Sequence, residues 1–140
     1  MAITALALSS CAPKEPSSAL NIDNQLSTEE IAAARFTPDV MWKMGRIGSA
    51  VLSPDGKTAL YTVTYYSVSE NSSLTQIYTR DMASGEEFTL TDNTSNNNDP
   101  QWSADGSAIY FTSNRSGEMQ LWQMGIDGSA PQQITKVEGG

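Results

Sequence analysis

The sequence predicts an all-β fold built from two similar four-stranded units, and three observations support this prediction. From Arg46 onward, short runs rich in β-branched and aromatic residues alternate with Gly, Asn, Asp and Ser, which is typical of many short antiparallel strands. A Ser-x-Asp-Gly turn occurs twice, beginning at Ser53 and at Ser103. The residues on both sides of the two turns also match one another, as expected for a repeated supersecondary unit.

The composition excludes several classes of function. The chain has 140 residues, of which 39% are hydrophobic and 17% are charged, so it resembles neither a disordered chain nor a membrane bundle. Its net charge of −8 disfavours nucleic-acid binding, which needs a basic face. Because histidine is absent and only one cysteine is present, the chain alone cannot form a Ser-His-Asp triad, a His-ligated zinc site or an internal disulfide. We therefore expect no catalytic residue, metal or cofactor in these residues.

Residues 1–11 are interpreted as a bacterial lipoprotein signal peptide. A short apolar run, Ala2 to Leu8, is followed by two serines and the single cysteine, Cys11. This Leu-small-small-Cys box resembles lipoprotein signals, in which the cysteine becomes the first residue and carries the lipid, so we predict lipidation of Cys11. An ordinary signal peptide or an incidental cysteine are the alternatives, and no Lys or Arg precedes the apolar run. The expected location is the periplasm or the outer membrane of a Gram-negative bacterium.

Residues 12–26 are rich in Pro, Ser and Asn and predict a flexible tether, and residues 27–45 predict two short helices. Ser27 followed by Glu30 is a capping-box pattern for the first helix. The adjacent Glu29 and Glu30 could bind a substrate amino group. The favoured interpretation is that acidic residues in a first turn complement the helix dipole.

The second predicted helix has signals at both of its ends. Thr37 suits the N-cap and Pro38 suits the first helical position. Gly45 is expected to end the helix in a left-handed conformation. Val40, Met41 and Met44 are expected to bury one face of this helix, with Trp42 alongside.

The two repeat units align segment by segment. The first two matched pairs lie 50 positions apart and the next two lie 44 apart: 52–56 with 102–106, 60–62 with 110–112, 76–78 with 120–122, and 90–91 with 134–135. The change of spacing falls between the second and third strands of the unit, where a loop tolerates an insertion. The predicted strands are residues 51–52, 59–64, 76–80, 88–91, 109–113, 120–124 and 133–135.

Four strands per repeat at this period predict β-propeller blades of the TolB or WD-like kind, with blade 1 at residues 46–92 and blade 2 at residues 93–140. A β-sandwich or a meander with accidental similarity are the alternatives. Because propellers contain about four to eight blades, we expect an incomplete propeller that belongs to a longer protein or assembles from several copies. In the turns, Pro fixes φ and Gly accepts a positive φ; the turn residues are Ser53, Pro54, Asp55, Gly56, Ser103, Asp105 and Gly106.

Three segments carry a resemblance to a known family: "MWKMGRIGSAVLSPDG" from Met41, "MQLWQM" from Met119 and "ITKVEGG" from Ile134. Together they resemble the start of the propeller in bacterial serine peptidases of the prolyl oligopeptidase family, in the dipeptidyl-peptidase and acylaminoacyl-peptidase branch. The turn motif alone is less specific, since TolB-type propellers share it. The resemblance covers roughly residues 36–140.

The resemblance implies a propeller that restricts access to an α/β-hydrolase domain, so that only short peptides reach a serine in a Gly-x-Ser-x-Gly turn. This chain contains neither that motif nor histidine, so no catalytic residue is carried over. The implied partners are the hydrolase domain, further blades and short peptides, with the membrane reached through the lipid only. The alternative is a non-enzymatic TolB-like propeller lipoprotein that binds proteins or glycans.

Two groups of polar loop residues have possible site functions. The oxygen-rich residues 92–99 could hold calcium, but Asx-rich segments more often form turns. Asn71, Asn93 and Asn114 each fit the Asn-x-Ser/Thr glycan acceptor pattern, which we interpret as polar loop chemistry.

Aromatic and basic residues offer two further candidates. Trp102, Tyr110 and Trp122 could line a binding groove, although packing between blades is the favoured interpretation at strand positions. Arg46 and Arg115 could each meet a peptide carboxylate, the hydrolase domain or a surface acidic residue.

Overall fold

The structure is a computed structural model that describes residues 22–137. The predicted signal peptide, the lipidation site Cys11 and most of the predicted tether lie outside the described residues. In the part that is described, no helix has both the length and the apolar content needed to cross a membrane.

Within residues 22–137, two short helices precede two four-stranded antiparallel sheets. The helices are α1 (Thr28–Ala33) and α2 (Pro38–Lys43). The first sheet contains β1 (Arg46–Leu52), β2 (Thr58–Ser67), β3 (Ser72–Asp81) and β4 (Glu87–Thr89), and the second contains β5 (Asn97–Trp102), β6 (Ala108–Ser113), β7 (Gln120–Gly125) and β8 (Gln132–Gln133). In each sheet the strands are neighbours in chain order. The all-β prediction is confirmed, and the two blades do not close into a ring.

The first helix begins with the predicted capping box. The Glu30 backbone N–H donates to Ser27 Oγ at 3.2 Å, and the Ser27 backbone N–H donates to Glu30 Oε2 at 2.7 Å. The Ser27 N–H and the Lys43 ammonium together lower the pKa of Glu30. Lys43 Nζ lies 3.1 Å from the same Glu30 oxygen, so this carboxylate joins α1 to α2.

The expected role of Gly45 is wrong. Helix α2 begins at the N-cap Thr37 as predicted, but it ends at Met44, whose φ of −78° and ψ of 129° are extended rather than left-handed. A Cβ added to Gly45 would lie 2.6 Å from Val63 Cγ1 and 2.7 Å from Tyr65 Cε1. The glycine is therefore needed because the backbone passes directly over β2.

The core lies between the two sheets. Leu60 and Ile77 of the first sheet pack with residues of β6 and β7, and the second sheet contributes Ile109, Phe111 and Met124. The first strand of the second sheet, β5, contacts β1, β2 and β3. One face of the first sheet is thus covered by the opposite face of the second, which is a head-to-tail stacking of similar units.

Both sheets begin with a bulged strand. The pairing of β1 with β2 shifts between Ile47 and Ala50, and the pairing of β5 with β6 shifts between Asn98 and Gln101. The sequence prediction missed the start of β5, because an Asn-rich segment was interpreted as a turn. Asn97 is nevertheless fully buried, with its side-chain amide donating to the Ser95 carbonyl at 2.8 Å.

Candidate functional site

The Ser-x-Asp-Gly turn of the first sheet is a closed network of hydrogen bonds. The Ser53 hydroxyl donates to Asp55 Oδ1 at 2.7 Å and accepts from the Thr58 backbone N–H at 3.0 Å. Asp55 Oδ1 also accepts from the backbone N–H of Lys57 at 3.1 Å. Gly56 has a φ of 71°, the left-handed conformation that glycine adopts without strain.

The second sheet repeats this network. Ser103 Oγ donates to Asp105 Oδ1 at 2.6 Å and accepts from the Ala108 backbone N–H at 2.9 Å. The Ser103 hydroxyl, followed by the N–H and hydroxyl of Ser107, lowers the pKa of Asp105 to about 2. In both turns, local donors bond to one oxygen of the aspartate, so the two turns hold the connection between the first two strands in the same way.

A buried Gln–Thr pair is a second repeated feature. In the first sheet, the Thr91 hydroxyl donates to Gln76 Oε1 at 2.6 Å and accepts from the Ile77 backbone N–H at 3.0 Å. The Gln76 amide donates to the carbonyl of Ser95 at 3.3 Å. Ser95 lies in the connection to β5, so the pair fixes the path from one sheet to the next.

The same pair occurs in the second sheet. The Thr135 hydroxyl donates to Gln120 Oε1 at 2.8 Å, and the Leu121 backbone N–H donates to the Thr135 hydroxyl at 2.9 Å. The Gln120 amide donates to the Val137 carbonyl at 2.6 Å, and its oxygen accepts from the Val137 N–H at 3.0 Å. Sequence reasoning aligned these residues but missed their role, although a polar pair repeated inside strands was the available signal.

Equivalent faces of the two sheets differ in burial. Leu60 and Ile77 have no exposed area because the second sheet covers them. The equivalent side chains of the second sheet lie on one half-buried face, which no third sheet covers within residues 22–137. We call this surface the outer face, and its residues are Tyr110, Thr112, Leu121 and Gln123.

The three aromatic candidates do not line a common groove. Trp102 and Trp122 pack against the core between the sheets, and the indole N–H of each is buried without a partner among the described residues. Tyr110 pairs with Gln123 on the outer face instead. For the two tryptophans, packing between the blades is therefore the better interpretation.

Arg115 has internal partners. Its guanidinium donates to Asn97 Oδ1 at 2.9 Å through Nη2 and to the Ser113 hydroxyl at 3.2 Å through Nε. It also lies 5.1 Å from the ring centres of both Phe111 and Trp122. Burial lowers its pKa, while the charge of Asp92 opposes that effect. Arg115 is thus part of the packing of the second sheet.

Arg46 contacts two aromatic rings near the start of β1. Its guanidinium carbon lies 5.0 Å from the ring centre of Trp42 and 4.5 Å from that of Tyr66, and the two rings meet edge to face at 5.7 Å. Arg46 begins β1, at the end of the sheets where β2 and β4 finish. We call this the proximal end. The Ser-x-Asp-Gly turns lie at the opposite, distal end.

The polar loop candidates show local bonding. Asp92 Oδ1 accepts from the Thr94 hydroxyl at 2.6 Å and from its backbone N–H at 3.1 Å, and these bonds lower the pKa of Asp92. Asn114 Oδ1 accepts from the Asn96 backbone N–H at 2.9 Å. Across residues 22–137, no three Asp, Glu, Cys or His side chains are grouped closely enough to hold a metal ion.

Comparison with known proteins identifies a matching protein family. The family model "TolB beta propeller domain" matches residues 22–140. A dipeptidyl-peptidase 5 of Porphyromonas endodontalis is 32% identical over 118 residues, covering 84% of this chain and 17% of that protein.

Two solved structures have similar folds. TolB from Acinetobacter baumannii superposes with a TM-score of 0.54 at 25% identity, over 64% of this chain and 21% of that chain. Pyrococcus horikoshii acylaminoacyl peptidase superposes with a TM-score of 0.58 at 16% identity, over 70% of this chain and 15% of that chain. The chain therefore spans only a small part of the length of each protein it resembles.

Proposed function

We propose, from the premise that this chain belongs to the TolB β-propeller domain family, that it is an N-terminal fragment of the propeller of an exported serine peptidase that cleaves short peptides. The similarity to a dipeptidyl-peptidase over 84% of the chain supports the peptidase assignment. These 140 residues contain no histidine, so the catalytic groups would belong to another part of the polypeptide. The role of this part is to scaffold and gate the catalytic domain.

The outer face is the single observation that best supports a larger propeller. Its members are half-buried where their counterparts Leu60 and Ile77 are fully covered by a neighbouring sheet. A further sheet stacked on the outer face would repeat the contact already present between the first two sheets. In a head-to-tail arrangement, the last sheet always presents the face that its predecessor has already buried. Gln120 holds Val137 much as Gln76 holds Ser95, which favours a similar path into that further sheet.

The strand order supports a position for the hydrolase domain. Each sheet has four antiparallel strands, so the chain enters β1 and leaves β8 at the same, proximal end. Any whole number of such blades keeps both chain ends on this side. A domain joined to the propeller through these ends would stand over the proximal end. There the propeller can restrict access to that domain, so that only short peptides reach it.

The proposed location rests on the amino terminus. Lipidation of Cys11 would anchor the protein to a membrane in the periplasm or at the outer membrane, through residues 12–26 as a tether. Metabolic labelling with a clickable fatty acid tests this, and labelling should disappear in Cys11→Ala. Labelling that is undiminished in this variant would contradict the anchor.

The peptidase assignment is tested by reading the coding sequence past codon 140 and assaying its complete product. We expect further blades, then a Gly-x-Ser-x-Gly segment followed by an Asp and a His. The complete product should release dipeptides from chromogenic substrates, and the 140-residue chain should not. A stop codon directly after the blades would instead favour the non-enzymatic TolB-like lipoprotein, which the similarity to TolB itself supports.

A further inference from the structure

We propose that Arg46 is a carboxylate-binding residue, oriented by Trp42 and Tyr66 at the proximal end of the sheets. The guanidinium lies 4.5 Å from the Tyr66 ring centre and 5.0 Å from the Trp42 ring centre, in the corner that the two rings form. Such contacts attract the cation and restrict its rotation. A planar fork of donors held in this way suits a carboxylate, which can accept two parallel hydrogen bonds.

Arg46 differs from the other basic residues that make contacts. Lys43, Lys57 and Arg80 each have a carboxylate within 4 Å, and Arg115 donates to Asn97 Oδ1. The contacts seen for the Arg46 guanidinium within residues 22–137 are those with the rings of Trp42 and Tyr66. The side chain is exposed, so a ligand can reach it from solvent.

A neighbouring cavity has room for the rest of the ligand. It measures about 390 Å³, and Trp42 and Tyr66, the two rings that hold Arg46, form part of its wall. The other lining residues are Val68 and polar residues at the end of β2, in the β2–β3 connection and at the start of β3, none of them charged. The acidic Asp23 and Asp39 line an adjoining cavity of about 230 Å³, which shares the Trp42 and Tyr66 rings with the larger one and also contains Lys43. An uncharged side chain next to the carboxylate therefore fits the larger space.

A single carboxylate fits better than a phosphate or a polyanion. Only one arginine lies in this corner, and the net charge of −8 repels ligands that carry several negative charges. Two sources present this group: the α-carboxylate of a short peptide, or an Asp or Glu side chain of an adjoining domain. The inference goes beyond the proposed function, because binding of a carboxylate requires no peptidase activity.

The test is a titration of the 140-residue chain followed by the ¹⁵N–H resonances of its arginine side chains. The probes are N-acetyl-Ala-Leu with a free carboxylate, its C-terminal amide, and acetate. We expect a saturable shift of the Arg46 Nε–H with the free peptide and none with the amide. If the free peptide binds at least about tenfold more tightly than acetate, the ligand is the α-carboxylate of a peptide. A tenfold gain in affinity is roughly what the burial of one apolar side chain contributes. Equal binding of the two indicates a carboxylate side chain.

The variants separate charge from geometry. Arg46→Lys keeps the charge but loses the planar fork, so affinity should fall about tenfold. Arg35→Gln removes an exposed arginine elsewhere and should leave the affinity unchanged. An equal shift with the amide, or no movement of the Arg46 resonance with any carboxylate up to about 50 mM, would overturn the proposal. The two outcomes that would overturn the proposal are both measured on the unmodified chain, so they do not depend on how a variant folds.

Discussion

Leu60 and Tyr110 hold equivalent positions in the two sheets, but Leu60 is fully buried and Tyr110 is only half-buried. Leu60 lies in the core because the second sheet stacks on its face. The corresponding face around Tyr110 has no such neighbour within residues 22–137. The energetic consequences of this difference can be measured by comparing matched positions in the two sheets.

Ile77 and Leu121 are such a matched pair. Truncating Ile77 leaves a cavity in a packed core, so Ile77→Ala should lower the free energy of unfolding by about 2–5 kcal/mol. Leu121→Ala removes a half-buried side chain from the outer face and should cost about 1 kcal/mol or less in the 140-residue chain. Urea denaturation followed by tryptophan fluorescence measures both. Equal costs would mean that the outer face is already packed.

The Gln76–Thr91 hydrogen bond should behave as a coupled unit. Gln76→Leu leaves the Thr91 hydroxyl without its acceptor and the Ser95 carbonyl without its donor, at a cost of about 1–3 kcal/mol. Thr91→Val should cost a similar amount. The double variant should cost less than the sum of the two, since both remove the same bond. Additive effects in a double-mutant cycle would show that the pair is not coupled.

Arg115 should not be replaceable by lysine. Arg115→Lys loses the planar contact with Phe111 and Trp122 and leaves the buried Asn97 oxygen without its donor, so we expect a loss of about 2–3 kcal/mol. Arg35→Lys, at an exposed position, is the matched control and should change stability by less than about 0.5 kcal/mol. Thermal and urea unfolding measure the two variants, and a neutral Arg115→Lys would contradict the packing role.

The Asp105 turn predicts a defined dependence on pH. The pKa of Asp105 in the folded chain is about 2, which is below its ordinary value of 3.8, because the Ser103 hydroxyl and Ser107 donate to the carboxylate. A lowered folded pKa means that the ionised carboxylate stabilises the fold above about pH 4, and that this contribution is lost as the pH falls from about 4 to about 2. Ser103→Ala removes the main hydrogen bond and should raise the pKa of Asp105 towards its usual range.

Carboxyl ¹³C NMR titration measures this pKa directly. Ser53→Ala, in the equivalent turn, is the control: it should raise the pKa of Asp55 and leave that of Asp105 in place. An Asp105 pKa that does not respond to Ser103→Ala would show that the hydroxyl has no influence on the carboxylate.

The strands that the sequence predicted best are those with dense β-branched and aromatic runs. The predicted 59–64 and 109–113 fall within β2 and β6. The start of β5 was missed because Asn97 and Asn98 have low strand propensity, and what holds them in the sheet is tertiary: Asn97 is buried against Ser95 and Arg115. Propensity is a local signal and does not register such contacts.

The candidate site was less predictable than the fold. The sequence treats Arg46 and Arg115 alike, but their contacts differ in the fold. Arg115 donates to Asn97, which is 18 residues away along the chain, because the strands bring the two side chains together. The close approach of Gly45 to Val63 and Tyr65 likewise follows from packing, while a glycine after a helix usually indicates a left-handed cap.

The central claim is that a third sheet covers the outer face in the complete polypeptide. The reactivity of Gln123→Cys towards a thiol reagent tests it, in a Cys11→Ser background, with Thr79→Cys at the equivalent buried position as the reference. In the 140-residue chain, Gln123→Cys should react at least about 100-fold faster than Thr79→Cys, because the latter reacts only when the sheets open. In the complete product, Gln123→Cys should become as protected as Thr79→Cys. Undiminished reactivity of Gln123→Cys in the complete product would contradict the account.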